Sequence, residues 1–216
     1  MRALLWSVLL SFAVAAQAAD WQDYKTDGVT TVEYRHSESG LLQLRATTKV
    51  PSLTGAFLHL LEDTANINRW AQNTEKAVLL AQPDSRSHIV HTYFTAIWPV
   101  SKRDMITQSS WQQDPTTGVL TMTVSDMGQH FPPEQGYVRM QQVQGSWTLT
   151  PLENGLLQIQ YQGQADPAGK LPQFIADKVA LKALFKTFTG LEKVLPQYQQ
   201  PYPEVAELTI SSLTQN

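Results

Sequence analysis

Cysteine is absent from all 216 residues. The chain therefore has no disulfide framework, no thiolate metal site and no cysteine nucleophile. Charge is sparse: 16 Lys and Arg stand against 19 Asp and Glu, a formal net charge of −3, which argues against non-specific nucleic-acid binding. The sequence carries no Gly-x-Ser-x-Gly elbow, no His-Glu-x-x-His helix, no Walker loop and no glycine-rich dinucleotide turn, so the motifs of the common hydrolase, zincin and nucleotide-dependent chemistries are missing. No cofactor or metal is expected. His88 and His91 lie three apart on a predicted strand and point to opposite faces, where they cannot share an ion; His36, His59 and His130 are scattered. Asp126, Glu134, Glu153 and Asp166 fall at strand ends and turns, and no carboxylate pair stands out as a general acid/base couple. Internal repeats and low-complexity tracts are absent too.

Residues 1–18 combine one positive charge at Arg2, a short apolar run and a small-x-small end at Ala16-Gln17-Ala18. That pattern is a secretory signal peptide with cleavage expected after Ala18. The run is too short to span a bilayer comfortably. An export signal without cysteines fits a bacterial periplasm.

The mature chain is rich in strand patterns. Residues 29–35 and 41–50 read as strands joined at Gly40. A helix follows Pro51-Ser52, with Phe57, Leu60, Leu61, Thr64, Ile67 and Trp70 on one face. Strands are expected over 77–81, 88–98, 105–111, 119–125, 137–141, 143–150 and 156–165, with a loop over 129–136. On 88–98 both alternating sets contain apolar residues, so that strand is either buried on both faces or bulged. The last strand alternates most cleanly: Ile159, Tyr161, Gly163 and Ala165 on one face, Gln158, Gln160, Gln162 and Gln164 on the other. A turn from Asp166 through Gly169 to Pro172 then opens a long helix to about Leu195. Its apolar positions, including Phe174, Val179, Leu184 and Phe188, form a stripe wide enough to cover a large apolar surface. Residues 197–216 form a polar tail expected to be loosely attached. The class is α+β, with helices segregated to one face of an antiparallel sheet.

Four ordered motifs resemble those of the START lipid-transfer domain, a helix-grip fold. They are Asp63 with Trp70; Trp98-Pro99 followed by Arg103-Asp104; Gly145-Ser146-Trp147 running to Pro151; and Asp166, Gly169, Leu171 and Pro172. The resemblance covers residues 21–196. It implies a curved antiparallel sheet wrapped around a long C-terminal helix, enclosing a hydrophobic cavity, with residues 19–196 as the lipid-binding domain. It implies lipid carriage, a gate formed by the loop from Trp98 to Arg103 with the last helix, and transient contact with a membrane surface. One departure concerns specificity: sterol-binding members place an arginine six residues after the motif arginine, where this chain has Ser109, which puts a sterol preference in doubt.

Candidate cavity or gate residues are Trp98, Trp147, Ile159, Tyr161, Phe174, Val179, Leu184 and Phe188. Trp70, Arg103, Asp104, Asp166, Gly169 and Pro172 are assigned structural roles, Arg103 and Asp104 as an ion pair or as backbone anchors. Arg45 shares a face with Gln43 and Thr47, and its direction stays open. The leading expectation is a monomeric periplasmic carrier of a lipid or other hydrophobic small molecule, without enzymatic activity. The alternatives are a cyclase- or hydrolase-type enzyme using the same pocket, and a non-transferring accessory module of an envelope complex.

Overall fold

A computed structural model describes residues 20–207. The expected leader and residues 208–216 lie outside the described residues. Two runs of consecutive antiparallel strands build the sheet. The first is β1 (Gln22–Thr26), β2 (Thr31–His36) and β3 (Leu42–Pro51); the second is β4 (Thr74–Asp84), β5 (Ser87–Phe94), β6 (Arg103–Gln113), β7 (Leu120–Asp126), β9 (Gln141–Pro151) and β10 (Leu156–Asp166). Pairing of β10 with β3 joins them, in the order β1-β2-β3-β10-β9-β7-β6-β5-β4. β8 (Val138–Arg139) stands off this path, parallel to the start of β6. The sequence suggested a longer strand there; only Val138 and Arg139 pair.

Between β3 and β4 lies α1 (Thr54–Glu62), followed by a 3-10 turn over Thr64–Arg69. Trp70 thus sits beyond the helix, buried on the core cluster. α2 (Gln173–Val194) closes the fold and continues as a 3-10 turn over Leu195–Tyr198. Pro172 stands one position ahead of the helix, and its carbonyl accepts the amides of Ile175 and Ala176.

Alternation decides which side chains meet α2. From β10, Leu157 and Ile159 face inward; from β3, Ala46 and Val50; from β9, Leu149. They pack with Phe57 and Leu60 of α1 and Phe188 and Leu191 of α2 into the main core. Each fully buried Leu or Phe stabilises by roughly 1.5–3 kcal/mol. Glu192 of α2 is held over this half of the sheet by the hydroxyls of Thr30 and Thr48. Arg45 points to the outer face, donating to both carboxylate oxygens of Glu33 at 2.7 and 2.5 Å.

The tail differs from expectation. Over residues 198–207 it is docked. The Tyr198 hydroxyl donates to Asp63 at 2.7 Å, Gln113 bonds the backbone of Ala206, and the Glu207 carboxylate accepts the amides of Thr54 and Gly55. Those amides are the orphan donors of the first turn of α1, so Glu207 caps a helix whose own preceding residue, Leu53, offers no cap. Gly55 permits the approach: a Cβ there would stand 2.6 Å from the Tyr202 backbone nitrogen. Polar composition made the tail look unattached, but its partners lie more than 90 residues away in sequence.

Hydrogen bonds from Tyr198 and then Asn66 hold Asp63 below the ordinary carboxylate pKa. A depressed folded value contributes stability that is present above the unfolded pKa of about 3.9 and is lost as pH falls through the folded value. Thermal melts between neutral pH and pH about 2.5 should show a smaller acid-induced loss for Tyr198→Phe than for the unmodified protein. Equal losses would remove Asp63 as the anchor.

Candidate functional site

α2 covers one half of the concave sheet face. Over the other half the inward side chains of β5, β6 and β7 meet a cavity of about 730 Å³. That volume is within the usual range of about 300–1,000 Å³ for small-molecule sites. Its walls come from Val90 and Phe94 of β5, Met105 of β6, Met122 and Val124 of β7, Trp147 of β9, Tyr161 of β10, and Val179, Ala180 and Leu184 of α2.

Trp147 is the shared wall between core and cavity. Its ring lies 4.7 Å from Tyr161, 5.0 Å from Phe57 and 5.8 Å from Phe188, stacked nearly parallel on the last. Tyr161 leans along its strand over Gly163. A Cβ at Gly163 would stand 2.2 Å from the Tyr161 hydroxyl, and Gly145, its cross-strand partner, borders the same slot. The accessible surface Tyr161 keeps is cavity surface; removal from bulk water pushes its phenol up to about 12, so it stays protonated at neutral pH.

Of the expected lining residues, Trp147, Tyr161, Val179 and Leu184 border the cavity. Ile159 and Phe188 are fully buried in the core beside it. Phe174 does not line it: it stands in the first turn of α2, 73% exposed. Trp98 is 93% exposed at the tip of a tight turn in which Ile97 and Val100 exchange backbone hydrogen bonds, and its peptide bond to Pro99 is cis. Ile97, Val100 and Leu171 border the cavity directly beneath these two aromatics. The expected strand over 88–98 ends at Phe94, because residues 95–102 form this loop.

Arg103 ties the mouth together. Its guanidinium, buried among main chain, donates to the carbonyls of Ser101, Pro167 and Ala168 at 2.9, 2.8 and 3.1 Å. Two segments distant in sequence, the 95–102 loop and the turn that launches α2, thus share one anchor. That turn is fixed locally as well: Asp166 Oδ1 accepts the Ala168 amide at 2.8 Å, and Gly169 adopts φ +74, a conformation that glycine enters at no steric cost. Arg103 does not pair with Asp104.

Asp104 points through the sheet to the outer face. There it accepts from His91 Nε2 at 2.7 Å and Arg139 Nε at 2.8 Å. His91 Nδ1 bonds the Tyr93 hydroxyl at 2.9 Å, and the segment from Gly128 to Arg139 covers the group, Arg139 donating to the carbonyls of Gly128 and Pro132. Burial, then Glu134, raises the Tyr93 phenol above its ordinary value. β5 is therefore buried on both faces, with Val90 and Phe94 toward the cavity and His91 and Tyr93 beneath the outer segment. His88, on the cavity side, lies 3.7 Å from Glu62. The outer cluster was invisible in the sequence because it joins residues from three separate segments.

Gly163→Val should push Tyr161 into the cavity and lower stability by about 1–3 kcal/mol. Urea unfolding alongside saturation with a neutral fluorescent probe would show both effects. An unchanged capacity would mean that the Gly145–Gly163 slot does not set the cavity's width.

The START domain family model matches residues 11–200. An uncharacterized protein of Pseudomonas aeruginosa is 25% identical over 197 residues, spanning 88% of this chain and 96% of that one. Among solved structures, a STAR-related lipid transfer protein from Xanthomonas axonopodis superposes with TM-score 0.74 at 24% identity, covering 82% of this chain and 99% of that one. Human StAR-related lipid transfer protein 5 superposes with TM-score 0.70 at 17% identity, covering 86% and 90%. Both show the fold, an open antiparallel sheet gripping a long C-terminal helix.

Proposed function

The chain belongs to the START domain family, and we propose that it binds a lipid or other hydrophobic small molecule in the cavity between α2 and the sheet and carries it, as a monomer, through the periplasm. One observation carries this reading: the family's fold here encloses about 730 Å³ of mostly apolar space, bordered at its mouth by Ile97, Val100 and Leu171. Each methylene moved from water into such a space gains ~0.8 kcal/mol. The lipid-transfer proteins that share the fold support the same use of it. Two features favour carriage over the enzyme reading. The His91–Asp104 pair lies on the opposite face of the sheet from the cavity, and the cavity hydroxyls of Thr92, Thr107 and Ser109 have no side-chain base bonded to them among the described residues, whereas the Tyr202 hydroxyl is bonded to a carboxylate, that of Glu62.

Exchange with a membrane would use the mouth. Trp98 and Phe174 are the two most exposed large apolar side chains among the described residues, one on the loop over residues 95–102 and the other in the first turn of α2. An aromatic tip of this kind suits the headgroup region of a bilayer. The leader at residues 1–18 supplies the address.

Native mass spectrometry of protein recovered from periplasm should find a chain beginning at Ala19 with a discrete lipid adduct that leaves on denaturation. A cytoplasmic full-length chain would overturn the location, and a clean apo mass with no uptake from mixed liposomes would overturn carriage.

Replacing Trp98 and Phe174 together by Ser should slow lipid transfer between vesicles at least about tenfold, since each aromatic contributes roughly 1.5–3 kcal/mol when buried. Equilibrium binding of a soluble probe should stay within about twofold of the unmodified protein. Unchanged transfer would move the membrane contact elsewhere.

A further inference from the structure

The end of the cavity opposite the Trp98 turn is chemically different from the rest. Here β5 and β6 present His88 and Ser109, directly paired across the strands, with Trp111 two residues further along β6. The docked tail closes this end: the Tyr202 ring meets Trp111 edge-on at 6.1 Å, and its hydroxyl donates to Glu62 at 2.5 Å. His88 Nε2 stands 3.7 Å from the same Glu62 oxygen. Burial and Glu62 raise the Tyr202 phenol well above its ordinary value, so it remains a donor.

Two observations point to an occupant. The Trp111 indole N–H has no acceptor among the described residues, and the side chain, 4% exposed, borders the cavity; the nitrogen itself lies just behind the wall, as does the Trp70 N–H, so a ligand reaches either one only with a shift of the side chains around it. A buried orphan donor costs about 1–3 kcal/mol, so such a group asks for a partner. Secondly, among the described residues no unpaired lysine or arginine borders the cavity. The Nε and both Nη atoms of Arg103 are engaged by main-chain carbonyls at the other end, and Arg86, 4.9 Å over the Trp111 ring on the far side of the wall, is paired with Glu204. His88 faces a carboxylate. Of the two bordering carboxylates, Asp177 is held by His36 and Gln173, leaving Glu62 to set the charge at the tail-closed end.

We propose that Glu62, His88, Ser109, Trp111 and Tyr202 form a head-group site for a neutral group that both donates and accepts hydrogen bonds, a hydroxyl in the first instance, and that this site discriminates against phosphate. The inference rests on the carriage reading and adds the class of ligand to it. A hydroxyl oxygen accepts from the Trp111 N–H while its proton goes to Glu62, Ser109 or His88. A phosphate would enter beside Glu62 without a cation to pair with, and an unpaired charge in a partly buried site is costly.

The test displaces the neutral fluorophore N-phenyl-1-naphthylamine from mature protein with two competitors of identical chain, 1-oleoylglycerol and 1-oleoyl-lysophosphatidate, each below its micelle threshold. Oleoylglycerol should compete at a concentration at least about tenfold lower. Glu62→Gln, which keeps an acceptor for Tyr202 and removes the charge, should narrow that ratio several-fold. Equal competition, or a preference for the phosphate, overturns the head-group site while leaving carriage standing. Failure of the fluorophore and of both competitors to bind overturns carriage and this inference with it. If the variant does not fold, the ratio for the unmodified protein decides.

Discussion

One guanidinium, that of Arg103, holds the cavity's mouth in register. Three carbonyls from two distant stretches of chain converge on it, and none of the three belongs to a strand ladder or a helix that would otherwise satisfy it. The planar, permanently charged fork suits this task, because its donors point in fixed directions and it does not titrate at physiological pH. Through Arg103 the loop bearing Trp98 and the turn launching α2 take positions relative to β6, and through β6 relative to the whole sheet. The opening is therefore defined from inside the fold, while the aromatic tips beyond it remain unattached.

The sheet sorts polarity by face. On the outer side Asp104 Oδ2 accepts from His91 and Arg139, and His91 bonds Tyr93, beneath a covering segment, with Asp104 Oδ1 buried and without a partner among the described residues; on the inner side, opposite the same residues of β5 and β6, lie Val90, Phe94 and Met105. Buried ionic groups are expensive when unpaired, and their confinement to the far face keeps the cavity wall apolar along most of its length. Empty apolar volume in turn costs packing energy. The protein offsets this with a dense core immediately beside it, where Phe57, Phe188, Ile159 and Leu191 are excluded from solvent altogether. Trp147 marks the border, packed against Phe57 and Phe188 on the core side and lining the cavity on the other.

Much of this was legible in the sequence. The glutamine alternation from Gln158 to Gln164 revealed β10 and its inward face, and the Asp166–Pro172 turn located the start of α2 to within a residue. Other features left weaker traces. β1 is exposed along its whole length, so it has no buried alternation to read. Ile159 and Phe188 face inward as their periodicity says, but periodicity cannot distinguish a side chain opposed by another side chain from one opposed by empty space. Phe174 belongs to an apolar stripe in sequence, yet in the first turn of a helix the stripe extends past the sheet it covers. Arg103 and Asp104, adjacent on β6, point to opposite faces by the same alternation that separates His88 from His91; their partners, in the turn before α2 and in the segment around Arg139, carry no local signal.

Tyr202 and Glu207 lie outside every strand, yet one forms part of the cavity wall and the other braces the helix above it. A wall segment of this kind is free of the register that binds the strands. Substitutions in the ladder must preserve an alternating face along each strand and its neighbours, whereas a change at position 202 alters the cavity's end without disturbing any ladder. Evolutionary divergence of ligand preference among relatives of this protein therefore has an inexpensive route: the sheet can stay constant while the segment around position 202 redraws the far end of the space it encloses.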